Sequence, residues 1–100
     1  MRYFFVEGKF NNPIPVGGVK LDSLVKTHLK RINDEMKEGR ILFTAYKKDN
    51  SGLVLFMKAE EKKDVEKFMY EDPLYKNKVQ LYRIIELSIK DVNEKISDLI

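Results

Sequence analysis

The chain has 100 residues with 19 Lys and Arg against 16 Asp and Glu, a net charge of +3, and 43% apolar residues. That length supports one domain with a modest core, and the balance of apolar and charged residues belongs to globular proteins rather than disordered ones. The absence of cysteine excludes disulfides and thiolate chemistry and fits a cytoplasmic setting. With a single histidine as well, a structural zinc site is not expected. No apolar run approaches the roughly 18 residues of a membrane span, and the lysines are scattered among acids rather than gathered on a basic face, so neither a membrane nor a nucleic acid is expected as partner.

Tyr3 to Val6 is aromatic and β-branched and predicts a first strand that starts too early to leave room for a signal peptide. Gly8 to Gly18, with Pro13, Pro15 and Gly17, reads as loop. From Leu21 the period changes: Leu21, Val25, Leu29, Ile32 and Met36 recur at three- and four-residue steps, with Leu24 and His28 beside them. This is an amphipathic helix, with Asp22 as its expected N-cap and Gly39 as its C′ residue. Ile41–Tyr46 and Leu53–Met57 predict two strands joined by the turn-rich 47–52. Val65, Phe68 and Met69 mark a second helix that Pro73 is expected to end, and Leu81–Leu87 a fourth strand.

The order βαββαβ predicts a ferredoxin-like α+β fold over residues 1–90, with two helices on one face of an antiparallel sheet. Ile89, Val92, Ile96 and Leu99 recur behind Asp91, so residues 91–100 are expected to add a C-terminal amphipathic helix, dispensable for the core. Strands one to three are apolar at successive positions, which places hydrophobic side chains on both faces of the sheet. The uncovered face calls for either the tail helix or, as the favoured expectation, a second copy of the chain in a homodimer. RNA-recognition domains share this element order, but Ser51-Gly52-Leu53-Val54-Leu55-Phe56 lacks their aromatic platform.

Two positions carry chemistry. His28 borders the core stripe of the first helix; it is either a packing residue satisfied by backbone or water, or a general acid/base. Asp72, in Glu71-Asp72-Pro73-Leu74-Tyr75, is either the N-cap of a helical turn opened by Pro73 or a carboxylate that orients His28, and the two roles are compatible. Tyr46 and Tyr75, at element ends, are candidates to line a substrate pocket. No nucleophile elbow or glycine-rich phosphate loop occurs.

Thr27-His28-Leu29 followed by Glu38-Gly39-Arg40-Ile41-Leu42, and Glu71-Asp72-Pro73-Leu74-Tyr75-Lys76 followed by Leu81-Tyr82-Arg83-Ile84, together resemble the YCII-related (YciI-like) family over roughly residues 3 to 87. The resemblance implies a ferredoxin-like fold that dimerises into an α+β barrel, kinship with muconolactone isomerase, and a histidine–aspartate pair at His28 and Asp72. The chain departs from the family in having Ala45-Tyr46 at a common Gly-Pro position and no arginine between Leu21 and Lys26. The expected function is that of a cofactor-free isomerase or lyase acting on a small carbonyl or aromatic compound. The alternative is a non-catalytic module that binds a small ligand or a protein.

Overall fold

The computed structural model describes all residues from Met1 to Ile100. The elements are β1 (Arg2–Phe10), α1 (Gly18–Lys37), β2 (Ile41–Tyr46), β3 (Leu53–Ala59), α2 (Lys62–Tyr70), α3 (Pro73–Lys76), β4 (Gln80–Leu87) and a 3-10 helix at Glu94–Leu99. The four strands form one antiparallel sheet in the order β2-β3-β1-β4. The fold class is ferredoxin-like α+β, as the element order predicts.

Alternation sets the core. Phe4 and Val6 of β1, and Leu53, Leu55, Met57 and Ala59 of β3, point to the helix side and are buried. They meet Ile32 of α1 and Val65 and Met69 of α2. The run Ile41-Leu42-Phe43 breaks the alternation through a bulge. Ile41 pairs with Met57 and Phe43 with Phe56, so Leu42 is the extra residue that sends Ile41 inward and Phe43 to the open face.

Helix α1 begins a turn earlier than Asp22. Gly17 is its N-cap and Gly18, at φ +57°, turns the chain into it. Gly39 takes the expected C′ place at φ +78°, its N–H donating to the Met36 carbonyl at 3.0 Å while Arg40 N–H reaches Glu35 at 3.0 Å. The apolar stripe of α1 is divided: His28 and Ile32 are buried, whereas Val25, Leu29 and Met36 lie at its edges and remain partly in solvent. Pro73 does not itself end α2, which stops at Tyr70; it opens α3, with Asp72 as N-cap.

The other sheet face carries Tyr3, Phe5, Phe43 and Phe56, with Phe56 stacked between Tyr3 and Phe43 at ring separations of 6.2 and 5.6 Å. The tail returns to this face: Tyr3 Oη donates to the Ile100 carbonyl at 2.7 Å, and Ile89, Val92 and Ile96 line a hollow of about 560 Å³ with Phe43 and Phe56. Its helical part differs from the expectation. It is a 3-10 helix starting at Glu94, its N-cap is Asn93 rather than Asp91, and none of its residues is buried. No helix is long and apolar enough to cross a membrane.

Candidate functional site

Helix α1 points His28 at the sheet, and the Asp72-Pro73 step swings a carboxylate toward it from the start of α3. Their side chains meet: His28 Nδ1 lies 2.8 Å from Asp72 Oδ2, with His28 4% exposed and Asp72 fully buried. Asp72 also keeps its capping role, because Oδ1 accepts from Leu74 N–H at 2.9 Å. One carboxylate oxygen thus meets the histidine while the other caps α3.

Sequence reasoning missed three further members of the cluster. Arg31 Nη1 donates to Asp72 Oδ2 at 3.0 Å and Nη2 to the Phe68 carbonyl at 2.8 Å, while its guanidinium stacks on the Phe68 ring at 4.3 Å. Tyr82 Oη donates to Asp72 Oδ1 at 3.3 Å and accepts from Gln80 Nε2 at 3.3 Å. Gln80 Oε1 in turn accepts from Leu53 N–H at 3.2 Å, so this fully buried amide reaches across from β4 to β3. It passes over Gly8, where any Cβ would overlap the Gln80 amide. Arg31 had a signal in sequence: it lies three residues after His28, on the same helix face, and reaches whatever His28 reaches. Tyr82 had a weaker one in the strand alternation that puts it inward with Ile84. Gln80 had none.

Burial works to raise the Asp72 pKa. The hydrogen bond and charge of His28, the Leu74 N–H and the Arg31 charge outweigh it and hold the carboxyl below its usual range. Asp72 is thus a fixed anion with four donors around it. The Tyr82 phenol moves the other way: burial first, then the neighbouring Asp72 charge, pushes its pKa far above the ordinary value, so it stays a neutral donor.

With Asp72 ionised, His28 Nδ1 carries the proton it shares, and the unprotonated nitrogen of a neutral ring is Nε2. Nε2 has no hydrogen-bond partner within the chain, yet no sealed polar side-chain atom lacks one. It therefore opens onto accessible space. His28 lines a cavity of about 180 Å³ bounded also by Gln80 and by apolar side chains that include Phe10, Leu21, Val25 and Leu53. Tyr46 lines it too, at the mouth and largely exposed. Tyr75 is placed elsewhere. It packs between Tyr70 and Tyr82, ring centroids at 4.8 and 6.2 Å, and does not line the cavity. No group of three or more potential metal ligands occurs.

No protein-family model matches the sequence, and no curated protein matches it. Among solved structures, the chain is similar to 5-chloro-2-hydroxyhydroquinone dehydrochlorinase from Burkholderia phenoliruptrix AC1100, determined in complex with 2,5-dihydroxybenzoquinone. The two share 18% identity at a TM-score of 0.57 over 88% of this chain and 93% of that one. The likeness shows the fold alone.

Proposed function

We propose that the chain is an acid/base enzyme of the isomerase or lyase type, a YCII-like protein that acts on a small carbonyl or aromatic compound without a cofactor. The observation that carries this reading is the 2.8 Å contact between His28 and Asp72 at the wall of an apolar cavity, with His28 Nε2 left free. A base at His28 accords with the loss of hydrogen chloride that names the dehydrochlorinase of similar fold.

In this scheme Nε2 takes a proton from a carbon next to a carbonyl or next to an electron-poor ring. The released electron pair forms a new double bond and a leaving group such as chloride departs with its own pair, or the imidazolium returns the proton to another carbon and the product is an isomer. Asp72 is a positioning residue: it holds the ring in the Nδ1–H tautomer and balances the imidazolium charge. A screen of chlorinated hydroquinones for chloride release and of small lactones for isomerisation tests the proposal. Turnover that falls about 10²–10⁴-fold in His28→Gln supports it; a His28→Gln protein as active as the wild type overturns it.

The aromatic open face of the sheet supports a homodimer, in which a second copy covers Phe5, Phe43 and Phe56. Light scattering should give twice the 11.8 kDa chain mass, with an interface of at least roughly 1,200 Å²; a monomer at micromolar concentration sinks it. One feature favours a non-catalytic binding module instead. Asp72 ties α1, α3 and β4 together and is already neutralised by Arg31 at the same oxygen, as a structural lock would be. Ligand binding without turnover across the screen decides for that reading.

A further inference from the structure

The wall of the His28 cavity is as informative for what it lacks as for what it holds. Nine of its 11 lining residues are hydrophobic, and no Lys, Arg, Asp or Glu is among them. The cation of the cluster is turned away. Both Nη atoms of Arg31 are engaged by Asp72 and the Phe68 carbonyl, and its side chain borders a separate charged hollow with Glu35, Arg40 and Lys67. Gln80, the other polar wall residue, has its amide committed to Leu53 and Tyr82. A smaller hollow of about 50 Å³ shares His28, Leu29, Tyr46 and Leu53 with the main cavity and is likewise free of charged residues.

Size and polarity then act together. A dry apolar cavity of about 150 Å³ holds benzene, so about 180 Å³ takes one six-membered ring. The smaller hollow, on the same histidine, has room for one small substituent. An ionised carboxylate entering this space gives up its hydration and meets no lysine or arginine in exchange. A hydroxyl or an amide loses far less and can donate to the unprotonated Nε2.

We infer that the site selects uncharged single-ring compounds that carry a hydroxyl or amide donor, phenols among them, and rejects their carboxylates. The inference rests on the reading of this cavity as the substrate site, but it concerns recognition rather than turnover.

Calorimetric titration of the intact chain at pH 8 with p-cresol, p-toluamide and p-toluate tests it, since the amide and the carboxylate differ in charge and hardly in shape. The phenol and the amide are expected to bind, with p-toluate at least about 100-fold weaker than the amide. Val25→Lys, which places an ammonium at the partly exposed rim of the cavity, should narrow the amide-to-carboxylate ratio at least tenfold. Equal binding of p-toluate and p-toluamide, binding of neither, or a ratio unchanged in Val25→Lys overturns the inference. Discrimination of this kind with no turnover of any compound leaves it standing and removes the catalytic reading alone.

Discussion

Replacing Asp72 with Asn separates the charge of this residue from its cap. The asparagine oxygen still accepts from Leu74 N–H, so α3 keeps its N-cap. The other terminal atom, now an NH₂, faces two groups that currently donate to it, His28 Nδ1 at 2.8 Å and Arg31 Nη1 at 3.0 Å. The imidazole resolves its clash by moving its proton to Nε2, the wrong tautomer for a base. In a Ser-His-Asp triad the same change costs about 10⁴ in turnover. Arg31 has no such escape, though it retains some access to water, its side chain being 22% exposed. Breaking a fully buried pair costs about 3–5 kcal/mol; partial rehydration of Arg31 puts the expected loss near the lower end, at about 3 kcal/mol. For a domain of this size that is a drop in Tm of about 12–24 °C. Urea denaturation gives the stability, and nitrogen NMR of the single histidine gives the tautomer. A loss below about 1 kcal/mol refutes the view of Asp72 as a charge centre. A large loss with the tautomer unchanged refutes its role in orienting His28 and leaves it a structural residue.

Acid should destabilise the protein through the same group: the Asp72 pKa is depressed in the folded state, so its contribution is full above the unfolded value of about 3.9 and is lost as pH falls through the folded value. The stability of the wild type should decline below about pH 4 by up to roughly 1.4 kcal/mol per pH unit from this group, and Asp72→Asn should remove that slope; parallel curves for the two proteins would locate the acid sensitivity elsewhere. Asp34 and Asp49 are also depressed, but they are fully exposed and add little. Gly8→Ala should evict the Gln80 amide from its bridge between Leu53 and Tyr82 and cost about 1–3 kcal/mol by chemical denaturation; a neutral effect would show that the bridge is dispensable. Deleting residues 91–100 removes the Tyr3 bond to Ile100 and no buried side chain, so unfolding should stay cooperative, whereas a truncated chain without a cooperative transition would make the tail part of the core.

What could be read from the sequence follows from which interactions are local. The aromatic and β-branched run at Tyr3 to Val6 marks β1, and the three- and four-residue spacing from Leu21 marks α1, because burial of one helix face imposes that period; in the structure the strands alternate toward Ile32, Val65 and Met69. The bulge at Leu42 is hidden, since three successive apolar residues satisfy a two-sided strand equally well. The tail misleads for an energetic reason. Its spacing is helical, but ten residues fall short of the roughly 12–15 that an unpacked α-helix needs, and a 3-10 turn capped by Asn93 forms instead.

The site divides in the same way. His28 is visible by its rarity and its place on the stripe, and Asp72 by the Asp-Pro cap signal, so both ends of the 2.8 Å contact stand out locally. Their closure depends on α3 lying against α1, which no local pattern encodes. Gln80 lies further still from any local rule, because its amide crosses β1 only where Gly8 leaves room. The part that changes the chemistry is Arg31. A histidine with a lone carboxylate is a strong base pair, whereas here the carboxylate oxygen that holds His28 also holds a guanidinium. The arginine spends part of the Asp72 charge and fixes its orientation, so the pair is built more for a set geometry than for strong proton pull. For the proposed acid/base function, that favours substrates whose proton is already acidified by a neighbouring carbonyl or an electron-poor ring, the kind of uncharged compound the proposed selectivity of the apolar wall would also favour.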